Sequence, residues 1–444
     1  MKKGILYAIL LVVFAGAVGF IVIKNKKKEE GFMPFKARTG YAATTDEYKA
    51  QSAKAEHLYK LITANPNDTK SKLALAALYI QEARVTGDHV YYDQAAMQLA
   101  NSVLKTDSVN FGALVFKGSL YLSQHHFADG LKIAQRVQQL NPYNAFVYGM
   151  LVDANVEMGN YNEAVKNSDK MVSTRPDIRS YSRISYLREI YGDYPGSIDA
   201  MKMAVSAGYP GDEGTEWARV HLGQLYENTG DFLNAKMHYT IALQERPDYA
   251  YAYAGLGRIC REEKKYPQAI AYFTKADSLV VDYAFKDELT DLYRLNGEND
   301  KAESTAKLVI QQLSKDATSA ASNDNIGHYA DRELAYAYLK VNDYDKALDH
   351  AQMEYNRRPD NIDVNETMAW VYYKKKDYTN AAKYIAVALQ TNSKNPTLLC
   401  RAGLIYAKAG DVAKGKALIQ QGLQSNPNIN VDLKNEARQV IQAA

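Results

Sequence analysis

From Asp46 onward, small and apolar residues return at three- and four-residue intervals between short polar turns, a pattern that predicts amphipathic helices and no strands. One small residue in the middle of every second helix sets the rhythm: Ala96, Gly130, Ala164, Ser197, Ala235, Ala269, Ala302, Ala347, Ala381 and Gly415. Their successive spacings are 34, 34, 33, 38, 34, 33, 45, 34 and 34 residues. A beat near 34 is the period of a helix–turn–helix repeat, whose units bury their apolar faces only by stacking. A second set marks the first helix of each pair: Ala76, Gly118, Gly223, Gly257, Ala335, Ala369 and Gly403. A tyrosine often follows three residues later, as at Tyr79, Tyr121, Tyr226, Tyr338, Tyr372 and Tyr406. Antiparallel helices approach closely only where small side chains face each other, and the rings fill the space beside them.

The turns agree with this reading. Gly159-Asn160-Tyr161, Gly192-Asp193-Tyr194, Gly230-Asp231-Phe232, Asn342-Asp343-Tyr344 and Gly410-Asp411-Val412 each read as a helix stop, a short turn and a packed residue. Pro66, Pro142, Pro176, Pro247, Pro359 and Pro427 close units, where a proline ends one helix without harming the next. Three places break the beat. Extra residues lie around Thr86 to Tyr91 and at Gly208 to Gly211, and the stretch from Ser314 to Asn325 reads as a flexible joint or a tolerated loop.

These residues resemble the tetratricopeptide repeat family. Glu216 to Tyr249 carries its pattern with Leu222, Gly223, Tyr226, Gly230, Phe232, Ala235, Tyr239, Ala242 and Pro247. The next unit follows with Tyr253, Leu256, Gly257, Tyr266, Ala269, Phe273 and Ala276. The seventh departs, with Thr290 for the glycine and no aromatic after Gly297. Ten units can be laid out, starting near Thr69, Phe111, Ala145, Ile178, Glu216, Ala250, Tyr283, His328, Ile362 and Pro396. The resemblance implies an all-α, right-handed superhelical solenoid of about ten hairpins over residues 46–429, closed by a capping helix over 430–444.

It also implies a protein or peptide partner in the concave groove lined by the first helices. Carried over unit by unit, the groove candidates are Arg179, Tyr186, Trp217, Gln224, Tyr251, Arg258, Arg261, Tyr329, Arg332, Tyr336, Trp370 and Tyr373. Aromatic rings and arginines dominate binding energy at interfaces, although rings in a chain with 35 tyrosines can equally pack between repeats. The family's clamp for a chaperone's C-terminal carboxylate needs Lys and Asn where Val115, Ser119 and Met150 stand, so that subtype does not fit. Arg179 and Arg183 with His221 form a looser cationic cluster.

The N-terminus stands apart. Gly4 to Ile23 is a twenty-residue run without a charge, flanked by Lys2 and Lys3 and by Lys24, Lys26, Lys27 and Lys28. As a helix it spans about 30 Å, the thickness of a bilayer's hydrocarbon core. The expected organisation is a transmembrane anchor over residues 1–24 and a polar linker over 25–45. A cleaved signal using Ala15-Gly16-Ala17 is the rival, against which the apolar run continues to Ile23. The lysine and arginine count, two before the span and six from Lys24 to Arg38, leans to a cytoplasmic array on a bacterial inner membrane. A Met-Lys-Lys start is also common among exported chains, so the side of the repeats stays open.

Composition adds mainly exclusions. A net charge of +3 gives no reason to expect nucleic acid. Cys260 and Cys400 are far apart and read as plain thiols rather than a disulfide or zinc pair. No hydrolase, metalloprotease, phosphate-loop or dinucleotide motif is complete, since Gly255-Leu256-Gly257 lacks its third glycine and lies in a helix. His125-His126 sits in an interhelical turn with no second pair at ligand spacing and reads as solvated. The sequence therefore predicts a non-catalytic scaffold without metal or cofactor, membrane-tethered or, in the alternative, exported after signal cleavage.

Overall fold

The computed structural model describes residues 32–322 and 327–442. These contain 22 α-helices, one short 3-10 helix at Gly40–Ala43 and no strand. A leading helix α1 (Asp46–Ala64) precedes the first two hairpins, α2 (Thr69–Thr86) with α3 (His89–Leu104) and α4 (Phe111–Ser123) with α5 (Phe127–Leu140). Next come α6 (Ala145–Glu157) with α7 (Tyr161–Thr174), α8 (Ile178–Ile190) with α9 (Tyr194–Ser206), and α10 (Glu213–Asn228) with α11 (Phe232–Glu245). The following pairs are α12 (Ala250–Glu262) with α13 (Tyr266–Leu279), α14 (Tyr283–Leu295) with α15 (Asn299–Ser322), and α16 (Asp331–Lys340) with α17 (Tyr344–Arg357). The array ends with α18 (Ile362–Lys374) and α19 (Tyr378–Ala388), α20 (Pro396–Lys408) and α21 (Val412–Ser425), and a closing helix α22 (Val431–Gln442). Eight of the ten expected unit starts coincide with the first residue of a helix; the fifth begins at Glu213 and the eighth at Asp331.

The small-residue beat lies where the helices cross. Ala96, Ala164, Ser197, Ala235, Ala269, Ala347 and Ala381 have no exposed surface. Unit four, which has serines at both crossing positions, satisfies them against each other: Ser185 Oγ donates to the Ser197 carbonyl at 2.8 Å. Every hairpin turn places one residue in the left-handed region, with φ between 60° and 104° at Gly87, His125, Gly159, Gly192, Gly230, Lys264, Gly297, Asn342, Lys376 and Gly410. Glycine adopts that conformation freely, and six of the ten positions use it. An aspartate often follows as the cap of the second helix: Asp193, Asp231, Asp343, Asp377 and Asp411 each accept from a backbone N–H in the first turn.

Two sequence expectations change. The stretch read as a flexible joint is, as far as Ser322, the end of α15. Leu313 is buried there and Ala317 packs beside it, because alanine and lysine favour helix and an apolar stripe continues through the segment. The polar linker expected over 25–45 is, from Phe32 on, a strap packed on the first hairpin. Phe35 lies 6.4 Å from the rings of both Tyr48 and Tyr79. Arg38 is buried against Glu82 and Glu47, and the Tyr91 hydroxyl donates to the Pro34 carbonyl at 2.6 Å. The apolar run Gly4 to Ile23, expected to form the anchor, lies outside the described residues. Among the described residues no helix is long and apolar enough to cross a membrane.

The superhelix closes on itself. Hairpin turns of the early units dock on inter-unit loops about 200 residues later. The Val281 amide donates to the Thr86 carbonyl, and the Tyr329 amide to Gln124, each at 3.1 Å. Asn361 Nδ2 donates to the carbonyls of Val156 and Glu157, and Asn426 Nδ2 to that of Glu227 at 2.9 Å. Arg246 pairs with Glu47 at 2.9 Å. From Arg246–Glu47 to Asn361–Val156 these side-chain contacts join residues 199 to 205 apart, close to six repeat lengths. One superhelical turn therefore takes about six units, and the second turn rests on the first along a continuous seam.

Candidate functional site

The seam turns an open groove into a channel. Its walls are the first helices of units one to six, α2, α4, α6, α8, α10 and α12, and its volume is about 1680 Å³. A smaller cavity of about 410 Å³ adjoins it, sharing Tyr186 and Glu189 and reaching Arg332, Tyr336 and Arg401. Tyr186 shows the character of the wall. It keeps 41% of its surface open, yet protein surrounds it, and burial with the nearby Asp363 and Glu157 carboxylates raises its hydroxyl well above the usual phenol range.

Of the groove candidates, Arg179, Tyr186, Trp217, Gln224, Arg258 and Arg261 line the channel, and Arg332 and Tyr336 line the adjoining cavity. The other four do not line either space. Trp370 is 8% and Tyr373 5% exposed, stacked on each other at 4.9 Å. Tyr251 packs on Phe285, and Tyr329 stacks on His126 at 4.0 Å in the seam. Position within a repeat fixes which face a residue occupies, whereas the size of its neighbours decides whether the ring reaches the lumen.

The arginines divide further. Arg258 Nε donates to Glu227 at 2.9 Å and its Nη2 to the Tyr239 hydroxyl at 3.1 Å. Arg261 pairs with Glu262 and Glu288. These two form an ion-pair ladder between units five, six and seven, so they hold the stack together rather than wait for a partner. Burial opposes the charge on Glu288, but Arg261, Lys340 and Arg258 outweigh it and hold the carboxyl below its usual range. Arg183 is likewise engaged, with Nε on Asp153 at 2.7 Å. His221 does not join a cationic cluster: burial pushes it down to about 4, and it lies neutral against Trp217 with ring centres 3.9 Å apart.

Arg179 and Arg332 differ from the rest. Arg179 lies over the Phe146 ring at 5.4 Å, with burial and the charges of Arg183 and Arg84 holding its guanidinium below the usual range. Arg332 approaches Asp363 only at 4.0 Å, and its Nε is buried without an acceptor. Arg179 is exposed on the channel wall. Burial opposes the charge on the half-buried Arg332, but Asp363, Tyr336, Glu333 and Glu366 outweigh it. Both guanidiniums stay charged and present donors to an anionic group that enters. Residues the sequence reading passed over also line it, among them Arg84, Phe116, Phe146 and Ile429. Phe116 and Phe146 lie on first helices that the repeat beat identifies; Ile429 arrives from the second superhelical turn, for which the sequence carries no signal.

The turn at His125-His126 is not solvated as expected. Residues 327–329 cover it, with His126 Nε2 at 2.9 Å from the Gly327 carbonyl and only 2% exposed. Cys400 is fully buried and its thiol is pushed up to about 12 by burial, while Cys260 is half-buried.

Residues 221–279 and 332–396 match the family profile for the tetratricopeptide repeat. Protein O-mannosyl-transferase TMTC1 of Homo sapiens is 27% identical over 187 residues, a match covering 40% of this chain and 20% of that protein. The chain thus spans about a fifth of that relative's length. Among solved structures, a tetratricopeptide repeat protein from Parabacteroides merdae is similar over 56% of this chain and 93% of its own, at 19% identity and a TM-score of 0.42. Yeast Tom70 is similar over 89% of this chain and 92% of its own, at 13% identity and a TM-score of 0.36.

Proposed function

We propose, from the premise that this chain is a tetratricopeptide repeat protein, that it is a non-catalytic scaffold tethered to a membrane, taking an extended acidic and apolar segment of a partner protein into its channel. The carrying observation is the pair of arginines without a close acceptor, Arg179 in the channel and Arg332 in the adjoining cavity. Phe146, Tyr186 and Trp217 supply flat apolar surface in the same walls. Aromatic rings and arginines are the side chains that concentrate binding energy at interfaces. The ion pairing steers capture and makes it salt-sensitive.

The test uses a fluorescent peptide of alternating Glu and Phe residues. Arg179→Ala with Arg332→Ala is expected to weaken its binding at least about tenfold, the loss of one charged hydrogen bond or more. Helical content and melting temperature stay unchanged. Equal affinity with an intact fold places the partner elsewhere; a matching lysine-rich peptide that binds as well removes the charge argument.

The tether is the twenty-residue apolar run from Gly4 to Ile23, and the lysine excess after it favours a cytoplasmic array. The exported, cleaved form is the second reading, supported by the small residues Ala15-Gly16-Ala17. Fractionation separates the two, because an uncleaved anchor keeps the protein in the membrane pellet through an alkaline wash. Removing residues 1–28 is expected to release a soluble, helical protein. If that truncated form still pellets, the solenoid itself binds the membrane, and the tether is not the sole attachment.

A further inference from the structure

The seam brings together three side chains from opposite sides of the superhelical turn, one of which, His125, also borders the channel. His125 stands at the hairpin turn between α4 and α5, and His328 and Glu333 stand at the start of unit eight, one superhelical turn later. Their ligand-capable atoms all lie within 4.8 Å of one another. The two imidazole ring centres are 4.1 Å apart, and His125 Nδ1 is 3.9 Å from Glu333 Oε1. The other carboxylate oxygen, Glu333 Oε2, is buried without any hydrogen-bond partner, although the side chain is only 12% exposed. The cluster is three electron-pair donors facing one another around an orphaned anionic oxygen.

We propose that His125, His328 and Glu333 form a zinc site that staples the second superhelical turn to the first. Two imidazoles and one carboxylate are the borderline nitrogen and oxygen donors that zinc prefers over magnesium or calcium. One outer contact is already in place: the His125 Nδ1–H donates to the Tyr329 carbonyl at 3.1 Å, which fixes the ring and leaves Nε2 as the ligand atom. Around tetrahedral zinc, ligand atoms lie about 3.3 Å apart, as bonds of about 2.0–2.1 Å require. From a spread of up to 4.8 Å the ligand atoms therefore close by up to about 1.5 Å, through side-chain rotation. All three are partly exposed, which gives an ion a path inward.

Of the cations that act on His125, Arg358 is engaged by Glu354 and Glu157, while Arg332 approaches Asp363 only at 4.0 Å. His89 and Asp93 act on His328 with opposite signs. Because the ligands are about 200 residues apart in the chain, an ion bound by all three needs the seam closed, and so binding favours the closed channel.

The experiment takes the full chain in detergent, stripped with a chelator, and titrates it with zinc ions calorimetrically. Expected are one ion per chain, a rise in melting temperature with zinc, and with cobalt ions the intense visible absorption of a tetrahedral site. His328→Ala and Glu333→Gln are each expected to weaken zinc binding at least about tenfold, the scale on which a lost ligand or supporting contact is felt, with far-ultraviolet dichroism unchanged. His57→Ala, a change outside the cluster, is expected to leave it as it was. No stoichiometric binding to the folded wild-type chain overturns the proposal. So does binding that survives both cluster substitutions, which marks an ion held elsewhere.

Discussion

Replacing Gly415 by leucine is expected to unfold the last hairpin, at a cost above the roughly 1–3 kcal/mol that overpacking usually brings. A Cβ at Gly415 meets the Gly403 carbonyl oxygen at 2.6 Å and the Ala407 nitrogen at 2.8 Å, both of them backbone. In Gly223→Leu the nearest atoms are instead the ring of Tyr239, at 2.5 Å, which is a side chain. A ring turns aside at the expense of its hydrogen bond to Glu227, whereas helix α20 cannot move without separating from α21. Gly415→Leu should therefore cost more than Gly223→Leu in urea denaturation. Hydrogen exchange should show the loss in α20 to α22 and also at the turn after Glu227, where Asn426 docks. Equal stability of the two variants would mean that the hairpin repacks freely.

Arg358→Met carries the second large effect, expected at about 3–5 kcal/mol, the cost of breaking a buried pair by removing one partner. Arg358 reaches Glu354, which is 3% exposed, and Glu157 across the seam. Without it two carboxylates lose their shared cation, though Glu354 keeps Arg357 and Glu157 is 29% exposed, which argues for the lower end. The seam should open locally, raising hydrogen exchange in residues 156–161 and enlarging the particle in small-angle scattering. Arg188→Ala, which removes a half-exposed pair with Asp193, is the control and should cost at most about 1 kcal/mol. A compact particle with unchanged exchange would show that the seam does not depend on this ion pair.

The distant reach of both effects depends on contacts that no single repeat encodes. Purely one-dimensional stacking confines damage to neighbouring units. Here Asn361, Asn426 and Tyr329 tie each early turn to a loop six units later, so a local lesson from one hairpin reaches a distant one.

The chain's own pattern was enough for the helices, their pairing and most unit boundaries. Those features are local: a small residue at each crossing, a left-handed turn residue and an aspartate cap fall at fixed offsets, and each acts on atoms within its own hairpin. The faces of Arg179, Trp217 and Arg258 were legible for the same reason, since helix periodicity fixes direction. Only the tertiary structure decided that Arg258 is spent on Glu227 while Arg332 has no close acceptor, and that Trp370 and Tyr373 are buried rather than presented. Only it brought His125 beside His328, and closed the groove into a channel. The physical reason is accumulation. A small rotation per unit, set by the packing of every interface between neighbours, sums over six units before one turn meets the next, and no short stretch of sequence carries that sum.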